Sequence, residues 1–512
     1  MTPSRNRLRA ALGLASVAAV SAALLSGTAT ASASTTVEST PVPIATPDGE
    51  VFSYLLNTRI ANPGQTTVVS NAVARAGGVV VQAWPQIGVV VAHSDRAAFR
   101  ADVARAAGNA LESVGATRTQ PVSEGTPSDV SVSWGKGASG YTKHANKPFN
   151  GDVPGEDSPA VTADPNEAAQ WDMQMIKADQ AHKVTDGSRN VVVGVLDSGI
   201  EASHPDLAPN IDADDSVSCV GAGRPDTSPT SWLDSKAPGG YHGTHVAGTI
   251  AAARNGIGIV GVAPNVRLAS VKVVNDDGFI YPEYAVCGFV WSGLKHMDVT
   301  NNSYYVDPFE FYCDDQPDQH AAKEAVRRAV SWSTKEGVVH AAAAGNSAYD
   351  LANKTTDAGS PDDGNAVLRT LNSGCNDIPT ELDGVVTVSS VQRFPAGTLQ
   401  SRLSSFSNRG LGVIDVAAPG SSILSTLPRT TVASGYGLLS GTSMASPHVA
   451  GVLALMKSAH PDWTPAQMVE KVRQEADDKA CSAALGGAPC VGPDTDNSYF
   501  GEGMVDALDA VS

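Results

Sequence analysis

No two of the six cysteines stand at C-x₂-C spacing, which removes the usual thiolate zinc sites. His242 and His245 lie one helical turn apart, but no glutamate stands between them as in the H-E-x-x-H pattern of zinc proteases. No Gly-x-Ser-x-Gly surrounds Ser443, so the nucleophile elbow of lipid-cleaving α/β-hydrolases is missing. Basic residues are scarce: 35 Lys and Arg against 53 Asp and Glu leave a net charge of −18. A nucleic-acid partner would need a basic face, and the acidic balance serves solubility instead. Beyond residue 33 no run approaches the roughly 18 apolar residues that a membrane span requires.

A chain of 512 residues has room for several domains, one of them large enough to bury a sizeable core. Residues 1–33 read as a secretory signal peptide. Arg5, Arg7 and Arg9 precede an uncharged run from Ala10 to Leu25, and Ala29, Ala31 and Ala33 offer small-residue cleavage sites. A retained anchor is the competing reading, but the run is short and serines interrupt it. Secretion leads to an oxidising compartment, where the six cysteines can pair. Six allow 15 connectivities, and Cys481 and Cys490, close together in a Gly-rich loop, are expected to form one bridge.

Residues 50–117 read as a small α+β unit. Strands are expected at Val51–Asn57, Val79–Trp84, Ile87–Val91 and Leu111–Gly115, the middle two forming a hairpin. A helix is expected over Gln65–Ala76, with Val68, Val69 and Val73 apolar, and Asp95 could cap another running to Ala107. The order β-α-β-β-α-β is the split ferredoxin-like motif. Residues 118–165, rich in Gly, Pro, Ser, Asp and Lys, read as an exposed linker.

From residue 166 onward, buried strands alternate with helices. Asn190–Leu196, Arg267–Val274, Asp298–Ser303, Gly337–Ala344, Gly384–Val391 and Leu411–Ala417 are the strands. Helical spacing falls at Ala247–Ala253, Tyr284–His296, Ala321–Lys335 and Ser443–His460. A last helix starts at Thr464-Pro465 with a capping box to Gln467. The pattern predicts an α/β fold with a mostly parallel central sheet covered on both faces.

Three short segments concentrate the chemistry. Asp197 ends a run that can only be a buried strand, at the sheet edge where ligands of open α/β folds bind. His242 opens a helix of small residues that can lie close against the sheet. Ser443 starts a helix whose free N–H groups and dipole favour developing negative charge. Each has an ordinary reading alone: a turn cap, a surface histidine, an N-cap. Together they supply a serine too weak to attack unaided, a base for its proton, and a carboxylate to orient that base.

The segments Val195-Leu-Asp-Ser-Gly199, His242-Gly-Thr-His-Val-Ala-Gly248 and Ser440-Gly-Thr-Ser-Met-Ala-Ser-Pro447 occur in the order Asp…His…Ser. That order and those motifs resemble the subtilisin family of serine proteases. The resemblance implies a subtilisin-like three-layer fold over 166–512 and catalysis by Asp197, His242 and Ser443. It also implies an inhibitory, chaperone-like propeptide at 34–120 and a maturation region at 121–165. Asn346, at the end of Ala341–Asn346, matches the family's oxyanion asparagine. Asn301–Tyr305 corresponds to the strand that pairs with extended substrate, as an edge strand can. Ser303 matches the usual serine there, whereas Tyr304 and Tyr305 replace a Leu-Gly pair and put a broad apolar preference in doubt.

Asp377 falls near the implied pocket floor. It reads either as an acidic floor favouring Lys or Arg or, preferably, as a solvated loop carboxylate. Asp206 and Asn255 match calcium ligands, with the carbonyls of Ala253, Ile257 and Ile259 completing an oxygen cage suited to Ca²⁺. The glutamine expected near the mature N-terminus has Glu167 or Asp164 as candidates. Nearness in such a fold suggests the bridges Cys219–Cys287 and Cys313–Cys375. The expectation is a secreted, monomeric serine endopeptidase acting on proteins or peptides and inhibited by its own propeptide. The rivals are an inactive member kept as a binding module and a processing protease for one precursor.

Overall fold

The apolar runs of the second half lie side by side. In the computed structural model, which describes residues 37–127, 163–481 and 489–512, they build a nine-stranded sheet. The expected signal peptide lies outside the described residues, as does most of the linker. Residues 38–512 form one compact unit.

Its N-terminal part contains β1 (Phe52–Thr58), α1 (Pro63–Arg75), β2 (Val79–Trp84), β3 (Val89–Ser94), α2 (Phe99–Ala107) and β4 (Leu111–Ala116). The strands form an antiparallel sheet in the order β2-β3-β1-β4, as the ferredoxin-like motif requires. One apolar residue of α1 faces out, and one expected cap is corrected. Val68 is 42% exposed, because α1 turns Val69, Ala72 and Val73 inward instead. Asp95 does not cap α2; Asp48, from the loop before β1, accepts from the Ala97 N–H at 2.8 Å.

The large sheet runs β12-β11-β10-β9-β5-β8-β6-β7. Its members are β5 (Val192–Asp197), β6 (Val217–Gly221), β7 (Arg224–Asp226), β8 (Arg267–Lys272), β9 (Val299–Asn302), β10 (Val339–Ala343), β11 (Val385–Arg393) and β12 (Ser401–Leu403). The ninth, β13 (Val416–Pro419), pairs parallel with β11. All pairings are parallel except β6–β7 and β11–β12. The last strand is shorter than expected: Leu411–Val413 is a turn with Leu411 40% exposed, and Asp415 is tied to Thr387.

Side chains alternate along β5, and so do their partners. Val193 and Val195 pack with α3 (His242–Ala251) and α6 (Thr442–Ala459). Val192 and Leu196 join the core beneath α4 (Pro282–Leu294) and α5 (Pro317–Lys335). These faces make three layers. At the C-terminal end, α7 (Pro465–Gln474) carries the expected capping box between Thr464 and Gln467. The bridges Cys219–Cys287, Cys313–Cys375 and Cys481–Cys490 all form. Among the described residues no helix is long and apolar enough to cross a membrane.

The small N-terminal sheet rests on α4 and α5, sharing one buried apolar cluster with them. Contact is close. A Cβ on Gly115 would fall 2.6 Å from the Asp318 Cα.

Candidate active site

The carboxyl end of β5 delivers Asp197, 2% exposed, to the sheet edge. Gly199 then turns the chain away with φ +95°, where a Cβ would meet the Leu233 carbonyl oxygen at 2.3 Å. On the opposite side α3 approaches so closely that a Cβ on Gly243 would lie 2.4 Å from the Gly199 oxygen. This packing seats the imidazole over the carboxylate. His242 Nδ1 lies 2.9 and 3.0 Å from the two Asp197 oxygens. Burial disfavours the imidazolium, but the Asp197 charge and hydrogen bond outweigh it and hold His242 above its ordinary range. His245, one turn on, is fully buried with Nε2 against the Ile423 and Gly437 carbonyls. Burial and the nearby His242 depress it to about 3.

Ser443 enters from the start of α6. Its hydroxyl donates to the Ser303 carbonyl oxygen at 3.2 Å, and Ser303 Oγ donates to the Ser443 carbonyl at 2.9 Å. Asn346 follows the buried strand β10. Its Oδ1 accepts from the Thr442 N–H at 2.8 Å and the Thr442 hydroxyl at 3.0 Å. That fixes the amide so that Nδ2 is free to donate elsewhere. A methyl built on Gly441 would stand 3.6 Å from both Asn346 Nδ2 and the Ser443 nitrogen. One point thus lies equally near both nitrogens.

Two adjoining clefts meet at Ser303 and Tyr304. One, of about 230 Å³, holds Asp197 and His242; the other, of about 320 Å³, holds Asn346 and Ser443. Nothing from residues 37–127 lines either.

A family model for the Subtilase family, Peptidase_S8, matches residues 188–503, which contain this whole arrangement. The chain belongs to the subtilase family. Over 310 residues it is 35% identical to subtilisin E of Bacillus subtilis (strain 168), covering 60% of this chain and 66% of that one. The subtilisin of Bacillus pumilus is equally similar, with 92% of its length covered. In fold, the chain resembles the epidermin leader peptide processing serine protease of Staphylococcus aureus. The TM-score is 0.63 at 21% identity, over 90% of this chain and 98% of that one.

The subtilase cleft departs from expectation at its walls. Residues 299–302 form an interior strand, paired on both sides by β5 and β10, so only Ser303–Tyr305 are free of the sheet. The edge-strand reading is corrected accordingly. Tyr304 donates to Asn302 Oδ1 at 3.1 Å beside the Asp197–His242 pair. Tyr305 lines the Ser443 cleft, its hydroxyl held by Asp362 at 2.7 Å. Asp377 is not a solvated loop carboxylate. It is 1% exposed, lines the Ser443 cleft, and its Oδ1 has no partner. Burial, with Glu381 and Glu310 nearby, pushes it well above the usual carboxylate range.

Sequence reasoning missed three further carboxyls in this wall, Asp307, Glu310 and Asp362. It also missed the facing segment Gly278–Ile280. No local motif marks them, since strands far apart in sequence bring them together. Burial and the Asp362 charge raise Asp307, and burial lifts Glu310 to about 7.

At the other end of the subtilase domain, Asp206 is fully buried. Its Oδ2 accepts from the Ile259 N–H at 3.0 Å and the Tyr436 hydroxyl at 2.9 Å, while Oδ1 has no partner. Asp164 is also buried, with Oδ1 on the Gly256 N–H at 2.6 Å and Oδ2 unpartnered. Burial raises both carboxyls. Asn255 belongs to the same loop, its Oδ1 accepting from the Ile257 N–H at 3.1 Å. Glu167 is instead engaged by Arg254 at 3.1 Å. Two orphaned buried carboxylate oxygens around one loop fit a hard cation.

Proposed function

We propose that the chain is a secreted serine endopeptidase, made as a preproenzyme and matured by its own activity. Ser443 is the nucleophile, His242 the base and Asp197 the group that orients it. The observation that carries this reading is the hydrogen-bonded Asp197–His242 pair in a cleft that adjoins, at Ser303 and Tyr304, the cleft holding Ser443 and Asn346.

The hydroxyl of Ser443 turns from the Ser303 carbonyl to neutral His242. Its proton passes to Nε2 as Oγ attacks the peptide carbonyl carbon. Asp197 accepts from Nδ1–H, which fixes the tautomer and stabilises the imidazolium. Charge developing on the carbonyl oxygen is met by Asn346 Nδ2 and the Ser443 N–H; one such donor contributes about 10²–10³ in turnover, a magnitude known from subtilisin itself. Collapse expels the amine, which takes the proton from His242, and water then hydrolyses the acyl-enzyme by the same route. Ser303, Tyr304, Tyr305 and Asp377 wall the substrate cleft.

Asp206, Asp164 and Asn255, with the carbonyls of Ala253, Ile257 and Ile259, would hold Ca²⁺. Bound there, the ion supplies structural charge neutralisation and no chemistry.

Replacing Ser443 by Ala in a protease-free host should yield secreted, uncleaved protein with no peptidase activity. A phosphonate should label wild type at Ser443 alone. Normal maturation of the variant would remove Ser443 from its role. A second reading, processing of one precursor, is favoured by the Tyr305 ring in the cleft wall. A peptide-library cleavage profile separates it from general proteolysis.

A further inference from the structure

Arg118 is buried to within 2% exposure although it lies two residues beyond β4, at the surface of the N-terminal unit. Its guanidinium forms an ion pair with Glu283, itself fully buried in the first turn of α4. The guanidinium carbon sits 3.9 Å from the Tyr281 ring centroid and 5.4 Å from that of Tyr284. A planar cation between two aromatic faces, over a carboxylate, is the arrangement that selects arginine.

Two of the groups around this guanidinium belong to different parts of the chain. Glu124 grips Arg118 with both oxygens at 3.0 Å; Arg118 lies in the expected propeptide and Glu124 in the maturation region after it. Glu283, Tyr281 and Tyr284 stay. Glu283 Oε2 already has no partner, and the only cation on Oε1 is Arg118. Removal of residues 118–124 therefore leaves a fixed anion with aromatic walls and no cation among the described residues.

The pocket adjoins a segment that lines the Ser443 cleft. Tyr281 directly follows Phe279 and Ile280, which line the Ser443 cleft. Thr119 is anchored by its N–H at 2.8 Å and its hydroxyl at 2.6 Å to Asp363, the neighbour of cleft-lining Asp362. The chain that carries Arg118 thus passes beside the wall of that cleft. It then turns back, with the Val122 N–H on the Val51 carbonyl at 2.8 Å.

We infer that in the matured enzyme the Glu283–Tyr281–Tyr284 pocket is a substrate subsite that takes an arginine side chain on the N-terminal side of the cleaved bond, and that Arg118 occupies it beforehand as an internal mimic. The inference rests on the peptidase reading above and adds a substrate class to it, arginine-bearing extended peptides.

The test compares peptide pairs that differ only by arginine or citrulline, one position at a time, with enzyme matured from the full chain. Charged hydrogen bonding to a buried carboxylate should favour arginine about 10- to 100-fold in kcat/KM at one position. Glu283→Gln should bring that ratio to about one. Cleavage with no arginine preference, or a preference that survives Glu283→Gln, overturns the subsite and leaves the peptidase reading standing. A second arm needs no catalysis. Full-chain Arg118→Ala vacates the pocket and should bind Nα-acetyl-arginine amide in calorimetry, whereas Arg118→Ala/Glu283→Gln should not. Equal binding to both overturns the pocket itself. Specific binding with neither peptide cleaved overturns the peptidase reading and, with it, the substrate role.

Discussion

Two opposed forces act on His242. Burial alone would keep the imidazole neutral well into acid, and the Asp197 carboxylate at 2.9 Å reverses that. Because the base must be neutral to take the serine proton, activity should rise with pH through a value above the free imidazole's, near ~6.5. Asp197→Asn removes the charge that raises the pKa and leaves the burial that lowers it, so the acid limb must move to lower pH. Turnover should fall by about 10⁴, since asparagine favours the wrong tautomer. A pH–rate profile on one peptide checks both; an unmoved limb would mean that Asp197 does not set the titration. These residues were legible in the sequence because each sits in a contiguous segment whose small neighbours are needed for the close packing at Gly199 and Gly243. Asp377 was not. Its surroundings combine Glu381 of the same loop with Glu310 and Tyr305 from distant ones, and a lone Asp in a loop gives no sign of that.

At the scale of elements, the loop through 253–259 brings two buried carboxyls to one place. Burial raises Asp164 and Asp206, so without a cation the folded state binds protons more tightly than the unfolded one. Stability then falls as pH rises through the ordinary carboxylate range towards the raised values. Calcium reverses that trend by replacing the protons. Chelation should lower Tm at neutral pH, and Ca²⁺ at about a hundred times its Kd should restore about 2.7 kcal/mol. In scanning calorimetry Asp164→Asn should lose most of the calcium increment, while Glu167→Gln should keep it because Glu167 serves Arg254. Equal increments in both would move the ligand elsewhere. The elements themselves followed from periodicity: buried strands, amphipathic helices and the Thr464 capping box lie where the pattern puts them. The misses were at ends. No side chain caps α2, where Asp48 takes the Ala97 N–H, and β13 begins only at Val416, after Asp415 has bonded to Thr387.

At the scale of the whole molecule, the N-terminal unit is fastened to the subtilase domain through the first turn of α5. Asp318 accepts from the Ala116 N–H at 2.8 Å and pairs with Arg100 at 2.9 Å, while the Ile44 N–H reaches its second oxygen at 3.4 Å. Arg328, about three turns further along the helix, donates to the Thr58 carbonyl at 2.7 Å. Burial pushes the Asp318 carboxyl above its usual range, and Arg100 with the Ala116 and Ile44 N–H groups works against that rise. None of these contacts touches the clefts of His242 and Ser443. Segment 34–120 added to the matured enzyme should therefore be held by this docking surface while its Arg118 fills the Glu283 pocket, and so inhibit. Asp318→Ala strands Arg100 and two N–H groups, and should weaken that inhibition about 10- to 100-fold. Its effect on hydrolysis of a short peptide should be slight. Truncating the segment after Leu111 removes Ala116 and Arg118 together and should abolish inhibition. An inhibition constant that ignores both changes would show that the N-terminal unit docks elsewhere in solution and is not the inhibitor proposed for it.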